Sequence, residues 1–199
     1  MKTKLLLIIL LGILSSGCQI IERGPLWQTE SNIDNELLPY YEAFLDEREK
    51  LGFVEELPHI NIVLEEVDKN WRGKCAVAYA ETNEKRYITD RTISISQRHY
   101  DNVIKRDGKD YHKGIEMLIF HEIAHCFWEA PHVDKEYPRT VKIYDHETAG
   151  DVYDEIICRD LMHYKGITYR GTRDYLCYTQ HYDLYKEQLY AIMSNQIQR

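Results

Sequence analysis

The segment His121-Glu122-Ile123-Ala124-His125 constrains this chain more than any other. Its two histidines stand four residues apart. On a helix of roughly 3.6 residues per turn, that spacing stacks both imidazoles on one face, where a single ion can meet them. Glu122 is turned about 100° from His121, so its carboxylate stands beside such an ion rather than on it. Two nitrogen ligands and a carboxylate able to take a proton from bound water are what a zinc hydrolase needs. The flanking residues supply the helix. Ile115, Leu118, Ile119 and Ile123 make an apolar face over about residues 113–128, and Pro131 ends the pattern.

A catalytic zinc site takes a third protein ligand and leaves one position for water. Three residues compete for that place. His132 follows His125 by seven residues, with Pro131 to set the turn. Glu147 follows His125 by 22 residues and opens the Glu-x-x-x-Asp pattern that ends at Asp151, and His146 is adjacent to it. Spacing alone leaves all three open.

The N-terminus reads as an address. Lys2 and Lys4 precede an apolar run from Leu5 to Leu14, broken only by Gly12, and Ser15-Ser16-Gly17-Cys18 follows. The run is too short to span a bilayer but suits an export signal. Small residues before a cysteine resemble a bacterial lipoprotein signal, which implies cleavage before Cys18 and a lipid on it. The expected organisation is a signal peptide over 1–17, a tether over 18–31 and a single domain over 32–199, held at the cell envelope, at the outer membrane or facing the periplasm. Cys75, Cys126, Cys158 and Cys177 remain after Cys18. In an oxidising compartment they suit up to two disulfides, whose pairing the sequence leaves open.

Composition agrees with a folded domain. The chain has 199 residues, 44% hydrophobic and 29% charged, with five prolines. Its net charge is −8, and loss of Lys2 and Lys4 with the leader would make it more negative still. No Lys/Arg cluster appears, so nucleic acid is not an expected partner. Sixteen tyrosines, many in the last third among charged residues, are expected to be half-buried.

The hydrophobic pattern predicts a helix from about Leu37, with Pro39 in its first turn, to a stop at Gly52. Strands are expected over His59–Glu65, Cys75–Ala80 and Arg91–Gln97. The last of these places Ile93 and Ile95 on one face and Ser94 and Ser96 on the other. It is a candidate sheet edge for an extended peptide, or else an ordinary buried strand. Asp134–Asp145 reads as loop with at most a short strand, Thr148–Asp160 is ambiguous, and a single helix is expected from Thr172 onward. His99, His112, His163 and His181 have no partner at ligand spacing and read as surface or satisfied residues.

With these residues in view, the chain resembles the metzincin clan of zinc metallopeptidases. His121-Glu122-Ile123-Ala124-His125 is followed by His132, and Asp160-Leu161-Met162-His163-Tyr164 is similar to a Met-turn. The resemblance is greatest to bacterial metzincin-like lipoproteins that carry a Cys directly after the second His, as Cys126 is here. It covers most of residues 32–192, loosely outside the motif. Trp128 replaces the usual Gly, the third His comes one residue later, Ala130 stands where Arg is common in the bacterial group, and Asp160 replaces a small Ser.

The resemblance implies an α+β fold: a small mixed sheet, a backing helix, the active-site helix and a C-terminal helical subdomain. It implies zinc (Zn2+) on His121, His125 and His132, Glu122 as general base, Met162 as an apolar floor, Tyr164 near the oxyanion, and a peptide or protein substrate. A gluzincin-type peptidase with Glu147 as third ligand is the alternative. Other readings are a non-catalytic zinc-binding lipoprotein and an interaction protein in which the motif is accidental.

Overall fold

Ile60, Ile62, Ile93 and Ile95 are all fully buried, and the first half of the chain is organised by burying them. The computed structural model describes residues 30–81, 86–104, 109–145, 147–163 and 172–195. The expected signal peptide, Cys18 and nearly all of the tether lie outside the described residues. Among the described residues, no helix is long and apolar enough to cross a membrane.

Four strands, β1 (Asn32–Ile33), β2 (Asn61–Glu65), β3 (Gly73–Glu81) and β4 (Arg86–Ser96), form a mixed sheet in the order β1-β2-β4-β3. β1 and β4 run parallel to β2, while β3 pairs antiparallel with β4. The register sets Ile62 opposite Ile93 and Leu64 opposite Ile95. Ser94 and Ser96, on the other face of β4, are also buried. The Thr92–Ser96 strand is interior because β2 pairs along one side of it and β3 along the other, so the edges of the sheet are β1 and β3.

Helix α1 (Leu38–Lys50) starts with Pro39 in its first turn and carries Arg48 and Lys50 in its last. Gly52, at φ +89°, then turns the chain in a conformation that disfavours other residues. Helices α2 (Gln97–Ile104) and α3 (Lys109–Trp128) follow the sheet. α3 touches β3 and β4, and also α1 and α2. Phe44 of α1 meets Phe120 of α3 edge-on, with ring centroids 5.6 Å apart. Ile115, Ile119 and Ile123 of α3 are fully buried.

The second half departs from its sequence reading. Residues read as loop or ambiguous form a two-stranded antiparallel ribbon, β5 (Glu136–Asp145) and β6 (Gly150–Arg159). Its buried face carries Val141, Ile156 and Cys158, while Tyr153 faces solvent. The alternation is present in the sequence, but Pro138 and interspersed charges obscure it. In a two-stranded ribbon each strand keeps a free edge, so the missing N–H of Pro138 is tolerated. The single C-terminal helix is in fact two, α4 (Thr172–Gln180) and α5 (Tyr182–Ser194). They are separated at His181, whose φ −127° and ψ 38° lie outside the helical region. Tyr178 and Tyr185 are deep core rather than half-buried, with rings 4.6 Å apart.

Two disulfides resolve the open pairing. Cys75–Cys126 joins β3 to α3, and Cys158–Cys177 joins β6 to α4. The architecture is α+β, with a small mixed sheet, a separate ribbon and five helices among the described residues. Cys158–Cys177 closes a loop with a sequence separation of 19. Replacing both cysteines by Ala should cost about 3 kcal/mol, mainly by freeing the unfolded chain. Urea unfolding under oxidising conditions measures this, and metal affinity should not change.

Candidate metal centre

Three imidazoles converge at the end of α3. Their Nε2 atoms lie 3.1 Å apart for His121 and His125, 3.0 Å for His125 and His132, and 3.3 Å for His121 and His132. Among the described residues this is the group of three or more potential ligands with atoms close enough to share an ion. His121 is buried, His125 half-buried and His132 exposed. The site is therefore anchored in the core and open on one side.

The other ring nitrogens explain the aim. His121 Nδ1 is 2.6 Å from the Leu161 carbonyl, and His125 Nδ1 is 2.7 Å from the Ala130 carbonyl. A carbonyl only accepts, so each Nδ1 carries the proton and donates it. In the neutral ring Nε2 is then a bare lone pair, the form that binds metal. Burial holds the His121 pKa down at about 4, with its two neighbouring imidazoles adding to the effect. Burial also lowers His125. The rings are thus neutral near pH 7, and two lone pairs face each other at 3.1 Å. His132 can offer at most one Nε2 proton, which cannot satisfy all three contacts. A shared cation can. Tetrahedral ligands at ~2.0–2.1 Å from one ion are roughly 3.3–3.4 Å apart, close to the separations here. The donor set and its spacing fit a metal ion.

The chain reaches His132 through a turn that begins at the end of α3. Glu129 N–H bonds to the His125 carbonyl at 3.1 Å, and Ala130 N–H reaches back to the Ala124 carbonyl at 3.2 Å. Glu129, at φ +48°, takes the left-handed conformation that a glycine would favour. The turn therefore falls one residue later than Trp128. Arg91 Nε donates to the Cys126 carbonyl at 3.0 Å, tying the helix end to β4.

The segment Asp160-Leu161-Met162-His163 closes the site from behind. Asp160 accepts from Met162 N–H at 3.0 Å and from the Tyr137 hydroxyl at 3.0 Å. The Met162 carbonyl receives Val133 N–H at 2.8 Å, directly after His132. Asp160 in place of a small Ser thus stitches this turn to β5. Met162 is buried in the same turn whose Leu161 carbonyl holds His121. His163, expected at the surface or satisfied, is fully buried, with Nε2 3.1 Å from Asp134.

Glu122 is buried at 5% exposure, on the next position of α3 after His121. Burial raises its pKa to about 8, while a hydrogen bond from Cys75 N–H pulls it down. Glu147 stands apart. It is exposed in the turn between β5 and β6, its N–H on the Asp145 carboxylate at 2.9 Å. Asp151 pairs with Lys142 at 2.6 Å. The Glu-x-x-x-Asp pattern spans a turn and a strand rather than a helix, so it does not bring Glu147 into the histidine group. Tyr164 and His146 lie outside the described residues. His112 Nδ1 meets the Tyr40 hydroxyl at 2.6 Å, and His181 Nε2 meets the Thr140 carbonyl at 2.8 Å, both away from the three ligands.

Sequence reasoning missed Arg91 and the two carbonyls that orient the ligands. Backbone acceptors leave no residue-type signal. Arg91, at the head of the alternating Ile and Ser residues of β4, was the one visible clue. Comparison with protein-family models, curated proteins and solved structures finds no match.

His132→Ala should lower metal affinity by at least ~100-fold, while Glu147→Ala should leave it unchanged. Calorimetric zinc titration of the two variants checks this. Glu129→Gly should relieve left-handed strain and raise stability by about 0.5–1 kcal/mol, with metal affinity held. Thermal unfolding against the wild type is the measurement.

Proposed function

We propose that this protein is a zinc-dependent peptidase of metzincin-like type, tethered at the cell envelope by a lipid on Cys18. The observation that carries the reading is the convergence of three Nε2 atoms at 3.0–3.3 Å, two of them fixed as lone pairs by Nδ1 donation to backbone carbonyls. A purely structural zinc site is closed by four protein ligands. Here three histidines converge, one of them exposed, and Glu122 occupies the helix position after His121.

His121, His125 and His132 would hold a zinc ion, which would supply a Lewis acid and, by its charge, favour the carboxylate form of Glu122. Glu122 is the chain's own proton carrier: its carboxylate would take a proton from the attacking water and deliver it to the leaving amine. Its burial keeps competing water away from the carboxylate. Met162 floors the site, and Tyr164 stabilises the oxyanion. The outer edge of β3 beyond Cys75, whose own N–H is taken by Glu122, is the surface that would pair with an extended substrate through backbone bonds. β3 holds Cys75, whose N–H meets Glu122, so a peptide along that edge passes close to the base.

Glu122→Gln is the decisive variant, because it keeps the shape and the acceptor for Cys75 N–H but cannot take the proton. It should bind zinc as the wild type does and lose at least ~10²-fold in kcat on a peptide library. Chelation should abolish wild-type cleavage and added zinc restore it. Zinc binding without any zinc-dependent cleavage would instead identify a non-catalytic metal protein.

A further inference from the structure

Gly73 is the first residue of β3 and is buried. It does not adopt a positive φ, so conformational freedom is not what it contributes. It contributes space. A Cβ at this position would lie 2.9 Å from Glu122 Oε1, 3.0 Å from Cγ and 3.2 Å from Cδ. All three contacts are tighter than carbon normally tolerates. Oxygen at the end of a free side chain would move aside at little cost. Glu122 is not free: it is 5% exposed and accepts a hydrogen bond from Cys75 N–H.

The strand is fixed as firmly as the carboxylate. Arg72 accepts Ser96 N–H at 2.7 Å, just before Gly73, and Gly73 and Cys75 pair in register with Ile95 and Ile93. Cys75 is then bonded covalently to Cys126, the residue after His125. One short segment thus touches Glu122 twice, through absent side-chain bulk at Gly73 and a donated N–H at Cys75, and is stapled to the helix that carries Glu122.

We propose that Gly73 and Cys75 are positioning residues for Glu122: Gly73 leaves the slot the carboxylate occupies, Cys75 orients it there, and the Cys75–Cys126 disulfide holds the slot in register with α3. Their bearing on catalysis rests on the peptidase reading above, whereas the steric coupling between Gly73 and Glu122 does not. The two are tested separately.

The coupling is read by a mutant cycle on stability. Gly73→Ala should lower the melting temperature by several degrees in the wild-type background and in Glu122→Gln, which keeps the same shape. In Glu122→Ala the added methyl enters the vacated space, and Gly73→Ala should be neutral or stabilising. Should Gly73→Ala alone fail to fold while Gly73→Ala/Glu122→Ala folds, the coupling is supported equally. An equal penalty in all three backgrounds, or loss of the fold in every one, overturns the proposal, because Gly73 would then be accommodating something other than Glu122. Amide hydrogen exchange at Cys75 gives an independent reading: Glu122→Ala should accelerate it markedly, Glu122→Gln should not, and no acceleration in Glu122→Ala removes the role of Cys75. In the zinc-loaded protein, Gly73→Ala should lower kcat at least ~10-fold with zinc affinity and KM held, since only the aim of the base has changed. If no peptide is turned over by the wild type, the peptidase reading fails while the stability cycle still decides the coupling.

Discussion

Two backbone carbonyls decide which way the metal-site imidazoles point, and much of the second half of the chain serves to present them. The Leu161 carbonyl takes the Nδ1 proton of His121, and the Ala130 carbonyl takes that of His125. Each of these carbonyls is itself placed by a turn. Ala130 is placed by the left-handed residue Glu129 and the bond back to Ala124, and Leu161 by the carboxylate of Asp160 and the Gln188 side chain, which accepts Leu161 N–H at 2.8 Å. An imidazole on a helix can swing about its Cβ. Hydrogen bonding the far nitrogen removes that freedom and sets the tautomer in the same stroke.

The rest of the frame keeps α3 from moving relative to those turns. Arg91 ties its end to β4, Cys126 ties it to β3, and Phe120 packs on Phe44 of α1. A second disulfide links β6, which leads into the Asp160 turn, to α4. A domain of this size buries limited apolar area. Cross-links at the elements that touch the site place stability where displacement of a ligand would do most harm.

What was legible in the sequence follows from what side-chain spacing can encode. The i, i+4 histidines, the intervening Glu122 and the apolar face of α3 depend on local periodicity, and each stands where that periodicity puts it. His132 and Met162 were legible as members of a pattern, although the turn before His132 departs from it. The ribbon was missed because Pro138, Arg139 and Lys142 dilute an alternation that only pairing with β6 makes meaningful. The break at His181 was missed because Gln180-His181 carries neither Gly nor Pro. The edge position of β3 was missed because strand order is a property of long-range pairing. Disulfide pairing was likewise open, since three connectivities satisfy the same four cysteines.

Preorganisation of this kind has an energetic consequence for the metal-free state. Three ring nitrogens within 3.0–3.3 Å of one another, at least two presenting lone pairs, repel in the absence of a cation, and the core will not let His121 turn away. Burial also resists the alternative remedy of protonation, since a charged His121 would lie among apolar neighbours. The fold therefore holds His121 and His125 in an arrangement that a shared cation would relieve. Relief of that repulsion would be part of the observed affinity, and a ligand that binds only the folded chain adds stability of about RT ln(1 + [L]/Kd). Ligands fixed in this way would leave an ion little chain to order on arrival, and affinity would then reflect coordination rather than folding, in contrast to small zinc domains that are unfolded without metal.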